Sequence, residues 1–388
     1  MVRKIKMGMV GGGEGAFIGE VHRMASRIDG QIDLVCGAFS SDPERSINSG
    51  RSLYLDEKRC YSDFNQMLTA EAKLPSSERM DFVAIVTPNH LHFPVAKAAL
   101  EAGFHVLSDK PATYSLEEAL ALEKVVKQTD QLFGLTHTYT GYPMVKQAQA
   151  LVASGRLGKV VKIIAEYHQG WLAASEDASS KQASWRIDPN RAGVSCCMGD
   201  IGVHAANLVE FVTGLHITEL CSDLASVVNG RQLDDDGTVL MRFDNGARGT
   251  LMSSQIAVGE ENNLTLRVYG ELASLSWQQQ EPNSLWLKQN NAPSHLYRTG
   301  VGDMATTAQA ATRTPAGHPE GYLEAFANIY QDFAKQILAY ERGQEVANPV
   351  PGVTDAIRGM AFIENAVAAS QSETKWHPFE TTKTPLKS

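Results

Sequence analysis

A chain of 388 residues, 43% hydrophobic and 20% charged, has room for two globular domains and the composition of a water-soluble protein. Its formal net charge of −9 argues against a nucleic-acid partner, which would want a basic face. No run reaches the roughly eighteen apolar residues of a membrane span, and Glu14 and the glycines after residue 10 interrupt the opening apolar stretch, so no secretory signal is expected.

In chain order, the alternating MVRKIKMGMV suits a first strand and VHRMASRI has helical spacing. The stretch between them is too rich in glycine for an ordinary helix start. A glycine-rich bend from strand to helix lets backbone approach a pyrophosphate and offers it free helix N–H groups. Gly11-x-Gly13-x-x-Ala16 fits the dinucleotide fingerprint, with Gly15 and Phe17 in the same loop. Gly19 and His22 suggest a second register in which the loop is three residues longer than usual.

Short β-branched runs follow: IDLVCGAF, DFVAIVT, HVLSD and LFGLTHTY. Between the later ones lie FPVAKAALEAG, closed by Gly103, and LEEALALEKVVKQTD, opened by the capping box Ser115-Leu116-Glu117-Glu118. Apolar strands alternating with helices predict a doubly wound parallel sheet with ligands at the carboxyl ends of its strands. Asp33 lies about twenty residues past the glycines, as a ribose-binding acid should, but at the wrong end of its strand. The correct end carries Ser40 and Ser41, which do not repel a 2′-phosphate, with Arg45 nearby. NADP is therefore expected to be accepted, alone or alongside NAD.

After GRLGKVVKI the pattern changes to long alternating segments: KVVKIIAEYH, LCSDLASVV, TVLMRFDNGARGTLMSS, LTLRVYG and ASLSWQQQ. Asn245-Gly246 marks a hairpin between two of them. These predict a large, mostly antiparallel open sheet, interrupted early by the helix DIGVHAANLVEFVTG. Two helices, YLEAFANIYQDFAKQILAYERG and DAIRGMAFIENAVAAS, close the chain and are free to pack back on the first domain. The predicted domains are thus 1–138 and 139–388. Gly300 to Gly317 reads as a surface loop, ETTKTPLKS as a disordered tail, and Asp234-Asp235-Asp236 as a solvated turn rather than a metal site. No metal is expected. The five cysteines show no C-x-x-C spacing and fit reduced thiols in a cytoplasm.

Polar groups cluster where the predicted strands end. Thr87-Pro88-Asn89-His90-Leu91-His92 follows DFVAIVT, and Ser108-Asp109-Lys110-Pro111 ends HVLSD. Side chains there would face the nicotinamide half of a dinucleotide. The alternatives are a helix cap for Asn89, a partly buried helix residue for His92 and a solvated lysine for Lys110. Further on stand Trp185-Arg186-x-Asp188-Pro189 and Gly199-Asp200-Ile201-Gly202-Val203-His204. Asp200 and His204, four apart on a helix, would share a face as an acid–base pair or as two metal ligands. A capping aspartate with a core histidine is the alternative.

These motifs, in this order and over nearly the whole chain, resemble the glucose–fructose oxidoreductase, inositol dehydrogenase and MocA family (Gfo/Idh/MocA). The resemblance implies a Rossmann domain for NAD or NADP and an α/β domain that supplies the substrate site and the surface for a homodimer or homotetramer. It implies an oxidoreductase acting on a secondary alcohol of a sugar, inositol or related polyol. It puts the catalytic lysine at Lys110, the acid–base pair at Asp200 and His204, and Asn89 and His92 on the nicotinamide side. The expected cofactor contacts are then Gly11, Gly13, Gly15, Ala16, Phe17, Ser40, Ser41, Arg45, Thr87, Pro88, Asn89, His92, Asp109 and Lys110. The expected substrate contacts are Lys110, Tyr139, Trp185, Arg186, Asp200, His204, His318 and Tyr322. Asp109 stands where the family usually has glutamate, Tyr139-Thr140 where it often has Tyr-Arg, and Gly317-His318-Pro319-Glu320-Gly321-Tyr322 is outside its general pattern. A non-catalytic nucleotide sensor and a reductase of an unsaturated or imine substrate are the competing readings.

Overall fold

A computed structural model describes residues 3–174, 181–346 and 349–382. The chain divides into two compact units, Met1–His137 with Phe326–Ile357, and Thr138–Ala325 with Arg358–Ser388.

The first unit is built on five parallel strands in the order β2-β1-β3-β4-β5. These are β1 (Ile5–Gly11), β2 (Ile32–Ala38), β3 (Phe82–Val86), β4 (His105–Ser108) and β5 (Phe133–Leu135). The helices α1 (Phe17–Arg27), α2 (Pro43–Ser52), α3 (Phe64–Glu71), α4 (His92–Glu101) and α5 (Leu116–Thr129) connect them. Every residue of β3 is buried, as the central strand of a sheet covered on both faces must be. The sequence order reverses between β1 and β3, so the crevice beyond their carboxyl ends is the switch point where such sheets take ligands. Ser115 caps α5, its hydroxyl accepting from Glu118 N at 3.2 Å. The late segment completes this unit: Phe333 packs edge-on against Phe82 with ring centroids 5.4 Å apart. Pro351 O accepts from Leu135 N at 2.8 Å. Each such buried ring contributes about 2–3 kcal/mol.

The second unit opens with α6 (Pro143–Ala153) and β6 (Val160–His168), followed by α7 (Lys181–Arg186), α8 (Pro189–Ala192) and α9 (Val203–Thr213). Next come β7 (Ile217–Ala225), β8 (Asp236–Phe243), β9 (Arg248–Ser254), β10 (Asn263–Gly270), β11 (Ser274–Gln278), β12 (Ser284–Lys288) and β13 (His295–Arg298). The short α10 (Thr306–Ala310), the long α11 (Tyr322–Tyr340) and α12 (Val353–Ser370), and β14 (His377–Pro378) end the chain's described elements. The sheet order is β13-β12-β11-β10-β6-β9-β8-β7-β14, with β6 and β9 parallel and every other pair antiparallel. Register explains the two faces. The row Met241, Gly249, Ile163, Val268, Leu275, Leu287 lies on the buried face, with Ile163, Val268 and Leu287 fully buried. The neighbouring row on the other face includes Leu240, Ile164, Trp286 and Leu296.

Several local readings change. The 300–317 segment is not a plain surface loop: it contains α10, with Met304, Ala308 and Ala311 buried. Alanine and threonine composition looks loop-like but suits a short helix under a packed layer. Of the tail read as disordered, Glu380 is anchored, its N–H donating to Asn365 Oδ1 at 3.1 Å and its carbonyl accepting from Asn365 Nδ2 at 2.8 Å. Residues 383–388 lie outside the described residues. Asp234 and Asp235 are buried, not solvated. Asp234 accepts from Ser195 Oγ, Cys196 N and Met198 N at 2.9–3.0 Å. Asp235 accepts from Val227 N, Val228 N and Arg231. Backbone and hydroxyl donors make burial of these carboxylates tolerable. Among the described residues no group of three or more His, Cys, Asp or Glu could hold a metal, and no helix is long and apolar enough to cross a membrane.

Candidate active site

In the first unit, β1 ends at Gly11 and α1 starts at Phe17. Gly11 has φ +80°, and a Cβ there would lie 2.3 Å from the Val86 carbonyl oxygen. The closest approach is one the fingerprint does not name. A Cβ on Gly19 would lie 2.2 Å from Gly12 O and 2.4 Å from Gly12 Cα, so the helix rests directly on the loop. Gly19 therefore belongs to helix–loop packing, and the extended second register is not needed. Gly13 N donates to Phe39 O at 3.2 Å, Glu14 N to Ser49 Oγ at 3.2 Å, and Arg45 Nη2 to Glu14 O at 2.8 Å. From below, Arg23 Nη1 donates to Gly12 O at 2.6 Å. Ala16 provides no side-chain cap to the first turn of α1. A glycine cradle under an uncapped helix N-terminus fits a dinucleotide pyrophosphate. Arg23 and Ser49 escaped sequence reasoning because their partners are backbone atoms of the loop.

At the ribose side, Asp33 is at the start of β2 and pairs with Lys4 at 2.9 Å, away from the strand's carboxyl end. Ser40 and the exposed Ser41 follow β2, with Ser40 Oγ accepting from Asp42 N at 3.1 Å and Asp42 capping α2.

At the next strand ends, His92 is buried, with Nδ1 2.6 Å from Pro111 O and Nε2 2.8 Å from Thr87 O. Burial lowers its pKa despite Asp109 nearby. The neutral ring donates its one N–H to one of these carbonyls and lays its other nitrogen against the second, so both nitrogens face backbone where contact with a nicotinamide was expected. Asn89 is buried beside it and Lys110 is half-buried. The Lys110–Pro111 peptide is cis. Asp109 accepts from Thr136 Oγ1 at 2.8 Å and from Lys110 N at 3.0 Å. Burial alone would raise its pKa, but His22, then Lys110 and His92, hold the carboxyl well below the usual carboxylate range.

The second unit carries its own cluster. A π-helical turn, Met198–Gly202, leads into α9, and Asp234 holds the chain that enters it. Asp200 pairs with Arg186 at 3.2 Å and accepts from Gln255 Nε2 at 2.9 Å. The Arg186 guanidinium lies over the Trp185 ring at 4.4 Å and near Trp171 at 5.8 Å. His204, buried on α9, meets the edge of Tyr139 with centroids 4.8 Å apart. Tyr139 is itself buried, its hydroxyl bonded to Tyr167 and to Asn262. Tyr167 donates to Asn262 Oδ1 at 2.8 Å. Burial pushes both phenols up, so they remain protonated. Tyr139 thus backs the His204 ring, with its hydroxyl bonded within the protein. Gln169 and Trp171 continue this network, with Gln169 Nε2 at 2.7 Å from Asn262 Oδ1 and Trp171 Nε1 at 2.8 Å from Gln169 Oε1. No short motif marks Gln169, Gln255 or Asn262. His318 does not join the cluster through its ring: it sits on an exposed turn, Nδ1 3.2 Å from Pro315 O. That turn is tied by the buried Glu320, which accepts from Arg313 N and Thr314 N. Tyr322 follows at the start of α11.

A parallel sheet with a glycine cradle at its switch point defines a dinucleotide-binding unit of the Rossmann type, and the second unit carries a polar cluster of its own. Residues 5–137 match the oxidoreductase family with an NAD-binding Rossmann fold, and residues 145–276 match the GFO/IDH/MocA C-terminal domain. The chain belongs to the Gfo/Idh/MocA oxidoreductase family. It is 33% identical over 385 residues to the uncharacterized oxidoreductase YfiI of Bacillus subtilis, covering 97% of this chain and 98% of that one. Among solved structures it is similar to an oxidoreductase from Sinorhizobium meliloti, with 44% identity, TM-score 0.87 and coverage of 97% and 100%. It is also similar to an inositol dehydrogenase homolog from Azotobacter vinelandii complexed with NADH and myo-inositol, with 32% identity, TM-score 0.91 and coverage of 98% of each chain.

Proposed function

We propose that this oxidoreductase moves a hydride between a nicotinamide cofactor and a secondary alcohol or ketone of a sugar, inositol or related polyol. The observation that carries the reading is the whole-chain likeness to a protein solved with NADH and myo-inositol. The motifs that carry Lys110, Asp200 and His204 support it. When bound, the nicotinamide supplies the hydride acceptor or donor, so in oxidation the chain must remove the hydroxyl proton. His204 is the base in this scheme, because a neutral imidazole nitrogen can accept the proton. Its backing by Tyr139 limits rotation of the ring. Asp200, braced by Arg186 and Gln255, is left to receive sugar hydroxyls or to orient the base. Lys110 stabilises negative charge developing on the substrate oxygen.

Ser40 and Ser41 past the carboxyl end of β2 support acceptance of NADP, because they do not repel a 2′-phosphate; Asp42 behind them is engaged in capping α2, and Arg45 follows one helical turn on. The exposed Leu240, Trp286 and Leu296 on the open sheet face support self-association through that face, giving a homodimer or homotetramer. A cofactor-reduction screen with NAD and NADP across free sugars, inositols, glycosides and sugar acids tests the assignment. Turnover with a polyol is expected. Tight cofactor binding with no turnover on any of them would return the sensor reading. Selectivity for NAD above about a hundredfold, roughly 2.7 kcal/mol, would sink the NADP assignment, and a monomer by light scattering at micromolar concentration the oligomer.

A further inference from the structure

The resemblance gives Lys110 a role but assigns none to the histidine that follows the glycine-rich opening. His22, on the second turn of α1, is fully buried. Its ring packs edge-on against Phe326 at 4.7 Å and Tyr330 at 5.9 Å between centroids. Nδ1 is 2.7 Å from Tyr330 Oη, and Nε2 is 3.6 Å from Asp109 Oδ2. The second distance is longer than a tight hydrogen bond, so this contact is an electrostatic pairing of N–H with carboxylate.

Proton bookkeeping selects one tautomer. Burial keeps the Tyr330 phenol protonated. If Tyr330 donates to Nδ1, the ring proton sits on Nε2 and faces the Asp109 carboxylate, so the phenol proton has an acceptor and the N–H points at negative charge. The other neutral tautomer would turn a lone pair toward the carboxylate and leave the Tyr330 proton without an acceptor. The groups around Asp109 are His22 from α1, His92 from α4, Thr136 and the buried His137 after β5, and Lys110 beside it, with Tyr330 of α11 behind His22. The neighbouring residue on α1, Arg23, holds the Gly12 carbonyl. One turn of α1 therefore touches both the phosphate loop and the segment that bears the lysine.

We propose that His22 is a positioning residue for Lys110: its Nε2–H, oriented by Tyr330, holds the Asp109 carboxylate, and Asp109 fixes the Lys110 backbone. This rests on the reading of Lys110 as a group of the hydride-transfer site. Four variants, His22→Phe, His22→Gln, Tyr330→Phe and the double His22→Phe/Tyr330→Phe, test it. Gln keeps a donor near the position of Nε2. His22→Phe is expected to lower kcat about tenfold or more, the scale of a small misplacement at a reacting centre, with cofactor Kd and polyol KM nearly unchanged. His22→Gln restores most of kcat, and Tyr330→Phe has no further effect in the His22→Phe background. Parallel loss of kcat, cofactor affinity and stability, without rescue by Gln, would show a structural role only and overturn the proposal.

Two readouts do not depend on turnover. Long-range ¹H–¹⁵N spectra of the whole protein should show His22 as the Nε2–H tautomer. Hydrogen exchange of the peptide spanning 105–115 should quicken in His22→Phe and return toward wild type in His22→Gln. An Nδ1–H tautomer, or unchanged exchange in His22→Phe, refutes the positioning role even if the enzyme turns over. Absence of polyol turnover with both readouts as expected refutes the substrate assignment and supports the contact. Should His22→Phe fail to fold, Tyr330→Phe, which removes one hydroxyl, should weaken the Nε2–H preference of His22 and quicken exchange of the same peptide, and no change in either refutes the positioning role.

Discussion

Gly19→Ala is the most direct probe of how the phosphate loop is built. In a permissive helix interior this change would stabilise by about 1 kcal/mol, through helix propensity. Here the new Cβ would sit 2.2 Å from Gly12 O, 2.4 Å from Gly12 Cα and 2.6 Å from Gly12 C, whereas ordinary contacts begin near 3.4 Å. The obstacle is backbone, which cannot rotate away as a side chain can. Relief requires α1 to retreat from the loop by about 1 Å, straining the Arg23–Gly12 and Ala16–Gly13 hydrogen bonds at 2.6 and 3.0 Å. Overpacking of this kind costs about 1–3 kcal/mol, and the rigidity of the neighbour puts the expected loss near 2 kcal/mol after the propensity gain. Gly359→Ala on α12 is the control, because its Cβ would meet only a Val203 methyl at 3.1 Å. Urea unfolding with unchanged slope measures the stability change, and quenching of protein fluorescence by NADH measures affinity, expected to fall about tenfold. A Gly19→Ala protein as stable as wild type, with unaltered NADH affinity, would refute the packing argument.

His204→Ala and Lys110→Ala should each lower kcat by about a hundredfold or more while NADH affinity barely moves; near-normal turnover in both across the pH range would remove them from the mechanism. Asp234→Ala strands three donors, Ser195 Oγ, Cys196 N and Met198 N. At about 1–3 kcal/mol each, less what water recovers, the expected loss is roughly 4 kcal/mol in urea unfolding, and a loss below about 1 kcal/mol would contradict its anchoring role. Burial lowers the pKa of His105 from 6.5 to about 4 and of His137 to about 3, and lowers that of His92 as well. Depressed folded-state values mean that their stabilisation is complete above the unfolded value and lost as pH falls toward the folded one. Stability should therefore decline from about pH 6.5 downward, by about 3 kcal/mol at pH 4 for His105 alone. His105→Gln, which keeps an acceptor for Leu132 N, should flatten part of that slope; a midpoint constant over this range would contradict the assignment.

What the amino-acid sequence determined by itself is local. Strand–helix alternation, the Ser115 cap, the glycine turn after β1 and the Asn245-Gly246 hairpin depend on neighbours a few residues apart, so periodicity and turn chemistry show them directly. Short strands such as β12 and β13 and the small α10 were harder to see, because five or fewer residues carry little periodic signal. The site was legible as a set of residue types, not as an arrangement. Only the folded chain turns Asp33 toward Lys4, rests Gly19 on Gly12, and buries Asp234 and Asp235 under donors from distant loops. Only it returns Phe326–Ile357 to the first unit, setting Tyr330 against His22. The physical reason is that the energy of a buried charge or a backbone contact depends on which remote segment covers it. A run of three aspartates reads the same in sequence whether water or backbone N–H groups will surround it.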